Sequence, residues 1–450
     1  MRLLANSLLS LTILATINCQ QIGNVKQNHL LPMSIQECDT SGCQAKQLSV
    51  TMDANWRWAH NVGGYDACGK DTKYCPDEST CAQNCALDGI EQNDWKNTYG
   101  IESVNNNNGI SMQYVTGGNV GSRTYLVEGD SYKVFNLKNS EFSVDVDMSQ
   151  LPCGVNGALY LVEMDQHGGS QPGAKYGTGY CDAQCPKDVK WIQGQANFGK
   201  SGACCAEMDI WEANQFANAV TPHPCNFKGL KKCSGSECDG SGICDKSGCD
   251  INPYRIGQQD FFGPGSHYKV DTSKPFTVVT QFITADGTYK TDVVEIKRHF
   301  VQNGKKITLP QSNIQGLSNL PSDINDKYCH AQTSVFKNEN TFSKVGGMKA
   351  MSDALGRGMV LVMSIWDDPT SRMLWLDSSF PLNVDEKQPG IKRGPCATNS
   401  GEPGQTRGQH GNAKVFYSNI QVGTINSTKV HIHSQAHNKR HSSSHKEFLN

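Results

Sequence analysis

The sequence predicts an all-β fold, built as one large sandwich of two sheets with long loops. Four segments are rich in β-branched or aromatic residues and are bounded by Gly, Pro, Asn or Asp, which is typical of strands. They are residues 142–148, 158–164, 276–282 and 359–366. Several are almost continuously hydrophobic, as expected for inner strands of a sandwich. Long amphipathic helices are scarce, and 44 glycines predict many turns and projecting loops.

The composition suits a folded protein with a neutral partner. The chain has 450 residues, 37% of them hydrophobic, and a formal net charge of −2. That length can bury a sizeable core, and the charge gives no reason to expect nucleic acid or an anionic membrane as partner. The sequence contains no repeat and no linker rich in Pro, Ser or Thr, which favours a single domain over residues 20–424.

The two ends differ from the rest. Residues 1–19 combine Arg2 with a short apolar run, which predicts a signal peptide and a secreted protein. Residues 425–450 are polar and contain five histidines, which favours a disordered tail, with metal binding as the alternative. The histidines are His431, His433, His437, His441 and His445. Asn426-Ser-Thr is an acceptor site for N-glycosylation.

Cysteine usage indicates an oxidising compartment. There are 19 cysteines, and removal of Cys19 with the leader leaves an even number, enough for nine disulfides. Zinc is the alternative, because Cys181 and Cys185 could form a ligand pair. The adjacent Cys204 and Cys205, and the lack of a repeated CxxC, favour disulfides.

Three carboxylates lie within six residues, at Glu207, Asp209 and Glu212. A strand projects Glu207 and Asp209 to the same side, whereas strict alternation sends Glu212 to the other side. For all three to share a cleft, the strand must bulge between Asp209 and Glu212. The alternative is an exposed acidic edge strand, although Trp211 and the double cysteine favour a buried one.

Two carboxylates on one cleft are the machinery of glycoside hydrolysis. One attacks the anomeric carbon while the other protonates the leaving oxygen. A separation of ~5–5.5 Å gives retention of configuration and ~6.5–9.5 Å gives inversion, and the sequence leaves this distance open.

Tryptophans supply a second signal, because an indole ring matches the apolar C–H face of a neutral sugar. Trp56 and Trp58 alternate around Arg57, so in a strand both rings would point to one face. Any one of them could instead belong to the core.

The stretch from Glu207 to Asn214, followed by Thr221-Pro-His-Pro-Cys225, resembles the signature of glycoside hydrolase family 7. That family comprises fungal-type cellobiohydrolases and endoglucanases with a concanavalin-like β-jelly-roll, whose loops form a cellulose-binding tunnel or cleft. The resemblance extends from about Cys38 to Gly423. Further matching motifs are Asp53-Ala-Asn-Trp-Arg-Trp58, Tyr176-Gly-Thr-Gly-Tyr-Cys-Asp182, Asn252-Pro-Tyr-Arg255 and the segment from Trp366 to Trp375.

The resemblance implies a role for each carboxylate. Glu207 would be the nucleophile and Glu212 the general acid and later the base, while Asp209 would hydrogen-bond Glu207 and adjust its protonation. His223 would lie near the leaving-group sugar, or would be a structural histidine in a rigid loop.

The resemblance also implies the sugar-binding residues. Trp58 would stand at the cleft entrance, Trp56 deeper, Trp366 and Trp375 around the cut bond, and Arg393 at the departing cellobiose. The residues implied beside the nucleophile are Asn156, Tyr160, Tyr180, Asp182 and Gln184.

A disulfide frame follows from the same resemblance. The implied pairs are Cys38–Cys43, Cys68–Cys85, Cys75–Cys81, Cys153–Cys396, Cys181–Cys205, Cys185–Cys204, Cys225–Cys244, Cys233–Cys238 and Cys249–Cys329. Long-framed members have one more bridge, from near the mature N-terminus to a cysteine that follows Cys85. Here Ala86 occupies that place and no cysteine lies between Gln20 and Cys38, so both partners are missing together.

Two departures bear on whether chain ends or internal bonds are cut. The segment between Asn197 and Cys204 is short compared with tunnel-forming members, and Asp239 falls near the place of an arginine that often binds product. The segment that carries Arg393 is retained. We therefore expect a cellobiohydrolase that acts from reducing ends through a more open tunnel, with an open-cleft endoglucanase as the alternative.

A lectin on the same fold is the alternative of another class, since fold does not imply function. It would have no need of three clustered carboxylates. Hydrolysis needs water and two carboxyls, so no cofactor and no metal are expected. The expected partners are β-1,4-glucan and cellobiose, without nucleic acid or membrane, and the protein is expected to be a monomer.

Overall fold

Sixteen strands form one large folded sheet in the computed structural model, which describes residues 20–23, 27–240 and 242–429. In chain order they are β1 Leu31–Asp39, β2 Gly42–Met52, β3 Ile101–Val104, β4 Gly109–Gln113, β5 Ser122–Glu128, β6 Ser131–Tyr132, β7 Val134–Phe135, β8 Ser140–Asp147, β9 Val155–Val162, β10 Glu207–Ala213, β11 Asn218–His223, β12 Phe276–Thr284, β13 Val293–Gln302, β14 Lys305–Thr308, β15 Met359–Asp367 and β16 Lys414–Thr424. Strand makes up 36% of the structure and helix 15%, which confirms the predicted all-β class.

The main path of the sheet runs β11-β10-β9-β15-β5-β2-β1-β16-β8-β12-β13-β14. It folds into two layers, because one apolar core contains side chains from both halves of this path. Leu159 and Met208 come from one half, and Phe142 and Val278 from the other. The sandwich prediction is therefore confirmed.

Strand β9 is buried along its whole length, since both of its faces are covered. Leu159 and Leu161 point into the main core, whereas Ala158, Tyr160 and Val162 belong to a second apolar cluster on the other face. A strand buried on both faces explains the continuous hydrophobicity of residues 158–162. All four predicted strand segments are strands, with bounds that differ by a few residues.

The remaining strands form small sheets in the loops. They are Gln21–Ile22, Ala59–Asn61, Cys85–Leu87, Val115–Thr116, Asn119–Val120, Trp191–Ile192, Gln195–Ala196, Ser201–Cys204, Lys231–Ser234, Phe262–Gly263 and Val270–Asp271. The first three make one sheet in which Gln21 lies opposite Ala86. Where longer-framed relatives are expected to have a disulfide, this chain therefore attaches its N-terminal segment by strand pairing.

The helices are short. They are α1 Glu78–Asn84, α2 Asp94–Asn97, α3 Ser236–Asp239, α4 Asp326–Phe336, α5 Thr341–Lys344, α6 Gly347–Arg357, α7 Leu374–Asp377 and α8 Pro403–His410, with 3₁₀ turns at Ala54–Trp56 and Ala174–Tyr176. None of these helices combines the length and apolar character that a membrane span requires.

All nine disulfides implied by the resemblance are present, from Cys38–Cys43 to Cys249–Cys329. The zinc interpretation of Cys181 and Cys185 is wrong, because each is bonded to a cysteine of the Cys204–Cys205 pair. The predicted signal peptide and residues 430–450 of the histidine-rich tail lie outside the described residues.

Candidate active site

Strand β10 contains the bulge that the carboxylate spacing predicts. The residues of β9 opposite the carboxylates are Val162 for Glu207, Tyr160 for Asp209 and Ala158 for Glu212. Residues 158, 160 and 162 alternate along β9 and share one face, so their partners share it too. The register shifts by one residue on both sides of β10, and Ile210 is left opposite no residue of β9.

Glu207 is held by the loop that precedes β10. The backbone N–H of Ala183 donates to Glu207 Oε2 at 3.0 Å. The disulfides Cys181–Cys205 and Cys185–Cys204 fix both ends of this turn to the residues just before Glu207. The adjacent cysteines therefore place an N–H donor against the carboxylate.

Glu212 is held by the neighbouring strand. Asn156 Nδ2 donates to Glu212 Oε1 at 2.9 Å, while Asn156 Oδ1 accepts from the backbone N–H of Ala213 at 3.0 Å. Accepting from an N–H fixes which end of the amide faces Glu212. The Asn156 side chain is fully buried, so it orients the carboxyl group.

The Asp209 carboxylate faces His223 on β11. Asp209 Oδ2 lies 3.0 Å from His223 Nε2, and His223 Nδ1 lies 2.7 Å from the backbone oxygen of Asp245. With an acceptor at each nitrogen, the ring is held as an imidazolium. Burial opposes this charge, but the hydrogen bond and charge of Asp209, together with Asp245, raise the pKa of His223 to about 9. The structure thus gives Asp209 a partner in His223, while the hydrogen bond expected between Asp209 and Glu207 stays a prediction.

Burial raises the pKa of both Glu207 and Glu212 well above the usual range. The charge of Asp209 adds to this effect at both groups, and Asp182 adds to it at Glu207. The Ala183 N–H opposes the rise at Glu207, and His223 with Asn156 opposes it at Glu212. Each carboxyl therefore has a partner that stabilises its ionised form in an environment that favours protonation.

A chain of hydroxyl groups leads away from Glu207. The hydroxyls of Tyr160 and Tyr180 lie 2.9 Å apart, and Tyr180 donates to Asp182 Oδ2 at 2.6 Å. Gln184, from the same turn, donates through Nε2 to the backbone oxygen of Lys246 at 2.9 Å. Of the five residues expected beside the nucleophile, Tyr160, Tyr180 and Asp182 are linked by these hydrogen bonds, Gln184 comes from the same turn as Ala183, and Asn156 contacts Glu212 instead.

Arg123 belongs to this cluster and was missed by the sequence analysis. It lies on β5, its guanidinium carbon is 3.2 Å from the centre of the Tyr180 ring, and its Nε donates to Asp53 Oδ2 at 2.9 Å. Arg123 pairs with Ser364 on β15, and Ser364 pairs with Ala158 on β9. Arg123 therefore lies on the same face of the sheet as Asn156, two residues before Ala158. The sequence did contain a signal. Arg123 and Tyr125 alternate within a strand, so one face of that strand carries polar groups where a core strand would carry apolar ones.

The prediction that Trp56 and Trp58 alternate in a strand is wrong. Asp53 accepts from the N–H of Asn55 at 2.6 Å and so caps a 3₁₀ turn over Ala54–Trp56. The Trp56 ring is half-buried beside Arg123, with 5.3 Å from the guanidinium carbon to the ring centre. Trp58, which follows the turn, is 45% exposed. The two rings therefore have different environments.

Trp366 and Trp375 form a second aromatic pair. Their ring centres are 6.3 Å apart with an angle of 30° between planes, and both pack on Ala219. Trp366 lies opposite Asn156 across the sheet, on the face that carries Glu212. This places the pair on the Glu212 side of the site.

Arg393 is fixed through its backbone. Its N–H donates to the oxygen of Ser378 at 2.7 Å, and its own oxygen accepts from Asn252 Nδ2 at 2.8 Å. Burial, and next the charge of Arg255, lower the pKa of the Arg393 guanidinium to about 9. Its buried Nε has no hydrogen-bond partner within the described residues.

The short segment after Asn197 is folded back on itself. Asn197 Nδ2 donates to the backbone oxygens of Lys187, Val189 and Ser201 at 3.1, 3.0 and 2.8 Å. Strand Ser201–Cys204 then pairs with Lys231–Ser234. Asp239, which falls near the place of the product-binding arginine, forms a surface ion pair with Lys187 at 2.5 Å.

Comparisons with known proteins agree with this geometry. The family model described as glycosyl hydrolase family 7 matches residues 22–429. A cellobiohydrolase from Daphnia pulex is 43% identical, with a TM-score of 0.89, and the match covers 91% of this chain and all of that one. A cellobiohydrolase from Melanocarpus albomyces, solved with cellotetraose, is 39% identical with a TM-score of 0.84 and the same coverage.

An endoglucanase I solved with cellobiose is 38% identical over 91% of this chain and all of that one, with a TM-score of 0.80. Both kinds of cellulase are thus among the similar structures, and the fold is the jelly-roll of these enzymes. The match of the family model over most of the chain shows that the protein belongs to glycosyl hydrolase family 7.

Proposed function

We propose that this glycosidase hydrolyses β-1,4-glucan by double displacement, with Glu207 as nucleophile and Glu212 as acid and base. The observation that carries the proposal is the bulge at Ile210, which brings both carboxyls to one face of β10. Each carboxyl also has its own hydrogen-bond donor, from Ala183 and Asn156.

In the first step Glu207 attacks the anomeric carbon, and the bond from that carbon to the bridging oxygen breaks. Glu212 gives its proton to the departing oxygen, which leaves as the hydroxyl of the released sugar. In the second step Glu212 takes a proton from water, the water oxygen bonds to the anomeric carbon, and Glu207 leaves as a carboxylate. Two inversions give net retention.

Burial and the charge of Asp209 raise the pKa of both groups, so the division of roles rests on the family resemblance and is supported by the separate hydrogen-bond donor of each group. Burial and the charge of Asp209 favour the protonated form of Glu212, as a general acid requires at neutral pH. The N–H of Ala183 supports the ionised form of Glu207. The imidazolium of His223 lies against the Asp209 carboxylate at 3.0 Å and balances its charge.

Neutral sugars fit the remaining surface. The Trp366–Trp375 pair offers indole faces on the face of the sheet that carries Glu212, and an indole ring matches the apolar C–H face of a sugar. The similar structures solved with cellotetraose and cellobiose support a cello-oligosaccharide as the ligand. A lectin function would leave the two buried, separately supported carboxyls without a purpose.

We assign the cut to chain ends, with release of cellobiose from reducing ends. The Arg393 segment is in place and its backbone is fixed on both sides. The segment after Asn197 is short and folded back on itself, which supports a site less covered by loops. Such a site favours some cutting of internal bonds. Endoglucanase activity is therefore the second candidate. Nine disulfides support secretion, and the exposed Asn426 is suited to glycosylation.

The first test replaces the nucleophile. Glu207→Gln is expected to lower the rate of cellobiose release by at least about 10³-fold, because the amide cannot attack the anomeric carbon. Glu141→Gln is the control, since Glu141 is buried on β8 outside the site. An intact rate in Glu207→Gln would refute the assignment.

The second test follows stereochemistry and position. Proton NMR of a soluble cello-oligosaccharide during cleavage should show the β anomer first at the newly formed reducing end, whereas the α anomer there would exclude double displacement. On insoluble cellulose, most new reducing ends should be soluble. Rapid loss of viscosity of carboxymethylcellulose with few soluble sugars would establish the endoglucanase instead.

A further inference from the structure

Trp58 and Tyr65 form an exposed pair of aromatic rings. Trp58 is 45% exposed and Tyr65 is 48% exposed, and their ring centres are 6.0 Å apart with planes tilted by 39°. Seven large hydrophobic side chains are exposed among the described residues, and these two are in ring contact with each other. The sequence analysis singled out Trp58 alone.

Asp88 holds both rings in place. The hydroxyl of Tyr65 donates to Asp88 Oδ2 at 3.0 Å, and the backbone N–H of Asp88 donates to the oxygen of Trp58 at 2.9 Å. Asp88 itself is 2% exposed, and the ring of His60 lies 5.1 Å from that of Tyr65. One buried residue thus fixes the two exposed ones.

The loop between the rings is closed by covalent and backbone contacts. The N–H of Cys68 donates to the oxygen of Ala59 at 2.9 Å, and the Cys68–Cys85 disulfide ties the loop to the strand Cys85–Leu87. The conformation of this loop therefore places the Tyr65 ring against the Trp58 ring. A surface ordered before binding loses little conformational entropy when a ligand arrives.

The ring pair continues a row of contacts that begins at the catalytic acids. Asp182 neighbours Ala183, the donor to Glu207, and accepts from Tyr180. Arg123 stacks on Tyr180 and also lies beside Trp56, two residues before Trp58. The exposed pair is therefore connected to the catalytic carboxyls through Trp56, Arg123 and Tyr180.

We propose that Tyr65 is a second stacking residue, which together with Trp58 captures a β-linked glucan chain before it reaches the carboxylates. The inference rests on the proposed function. The two uncharged rings present apolar faces at the surface, and the C–H faces of glucosyl units are the matching surface. Only chains long enough to reach from Glu207 to the pair gain from it.

The test compares adsorption to crystalline cellulose with cleavage of 4-nitrophenyl β-cellobioside, a substrate too short to reach the pair. Tyr65→Ala should weaken adsorption about three- to tenfold, since an aromatic contact contributes that much to affinity. It should leave cleavage of the aryl cellobioside unchanged. Tyr65→Phe keeps the aromatic ring, so its adsorption to cellulose should be weakened much less than that of Tyr65→Ala. Tyr289→Ala is the matched control, because Tyr289 is 71% exposed outside this surface.

A cycle with Trp58→Ala tests whether the rings act together. In the double variant, the fold-loss of adsorption should be smaller than the product of the two single losses, because removing either ring already deprives the other of its neighbour in the stacking surface. Unchanged adsorption in Tyr65→Ala, or an equal loss on the aryl cellobioside, would overturn the proposal. Failure of the wild-type protein to cleave either substrate would instead refute the proposed function, whatever its adsorption.

Discussion

At the scale of single residues, the site depends on which neighbour each buried carboxyl receives. Glu207 has a backbone donor, Glu212 an amide and Asp209 an imidazolium. The sequence identified the three acids because their clustering is costly in a buried strand. It could not supply the pairing of Asp209 with His223, since they meet only when β10 and β11 pair.

Glu212→Gln should stabilise the protein while reducing its activity. The folded pKa of Glu212 lies above the unfolded value of 4.5, so the folded state binds the proton more tightly. This carboxyl therefore costs stability as the pH rises above 4.5 and costs none in acid. We expect the variant to have a higher unfolding free energy than wild type at neutral pH, and the same unfolding free energy at about pH 4.

Unfolding free energies of Glu212→Gln and wild type, measured at both pH values, check this expectation. The rate should fall by about 10²–10⁴-fold, as for loss of a general acid. A variant less stable than wild type at neutral pH would show that Asn156 stabilises a charged Glu212 more than burial destabilises it.

The bond from His223 to Asp209 should make stability depend on alkaline pH. The folded pKa of about 9 exceeds the ordinary value of 6.5, so the imidazolium stabilises the fold below 6.5, and this contribution is lost as the pH rises through 9. The loss is at most about 3 kcal/mol for this shift. In His223→Gln the decline of unfolding free energy over this interval should be flatter. An identical decline in both proteins would contradict the assignment.

At the scale of elements, period-two alternation decides what the sequence can reveal. The bulge at Ile210 was predictable from the spacing of the acids. Alternation places Glu207 and Asp209 on one face of a strand and Glu212 on the other, and an extra residue between them brings all three to one face. The 3₁₀ turn at Ala54–Trp56 was not, because Asp53 competes with the strand by capping it. The spacing of Trp56 and Trp58 is compatible with a strand and with a 3₁₀ turn. The hydrogen bond from the N–H of Asn55 to Asp53 favours the turn.

The Cys153–Cys396 disulfide should control how tightly product is held. It connects the residue before Gly154 with the segment that carries Arg393, and the N–H of Cys396 donates to Asp377 at 2.9 Å. Replacing both cysteines by alanine should loosen this segment and raise the inhibition constant for cellobiose several-fold. Cleavage of the aryl cellobioside without added cellobiose should change little.

The Cys38–Cys43 disulfide provides the matched control, since it joins β1 to β2. Its double alanine variant should keep the wild-type inhibition constant. If both double variants respond alike, the effect is one of general stability and the link to Arg393 is refuted.

At the scale of the whole molecule, the sheets and the loops are stabilised by different means. The sandwich is held by its shared apolar core, and Cys38–Cys43 is the one disulfide that joins two strands of the large sheet. The other eight lie outside that sheet, in the segments that carry the site. Composition predicted the sandwich, whereas the positions of loops 181–185 and 393–396 required the pairing of particular cysteines.

Mild reduction should therefore abolish activity before the sheets unfold. Each short loop loses about 2–4 kcal/mol of stabilisation when its disulfide opens. None of these eight bonds joins two strands of the large sheet, so the strands should remain paired when Ala183 and Arg393 lose their fixed positions. The measurement is far-UV circular dichroism alongside aryl cellobioside cleavage during titration with a reductant. Activity should fall at a lower reductant concentration than the β-sheet signal, and simultaneous loss of both would show that the loop disulfides also hold the sandwich together.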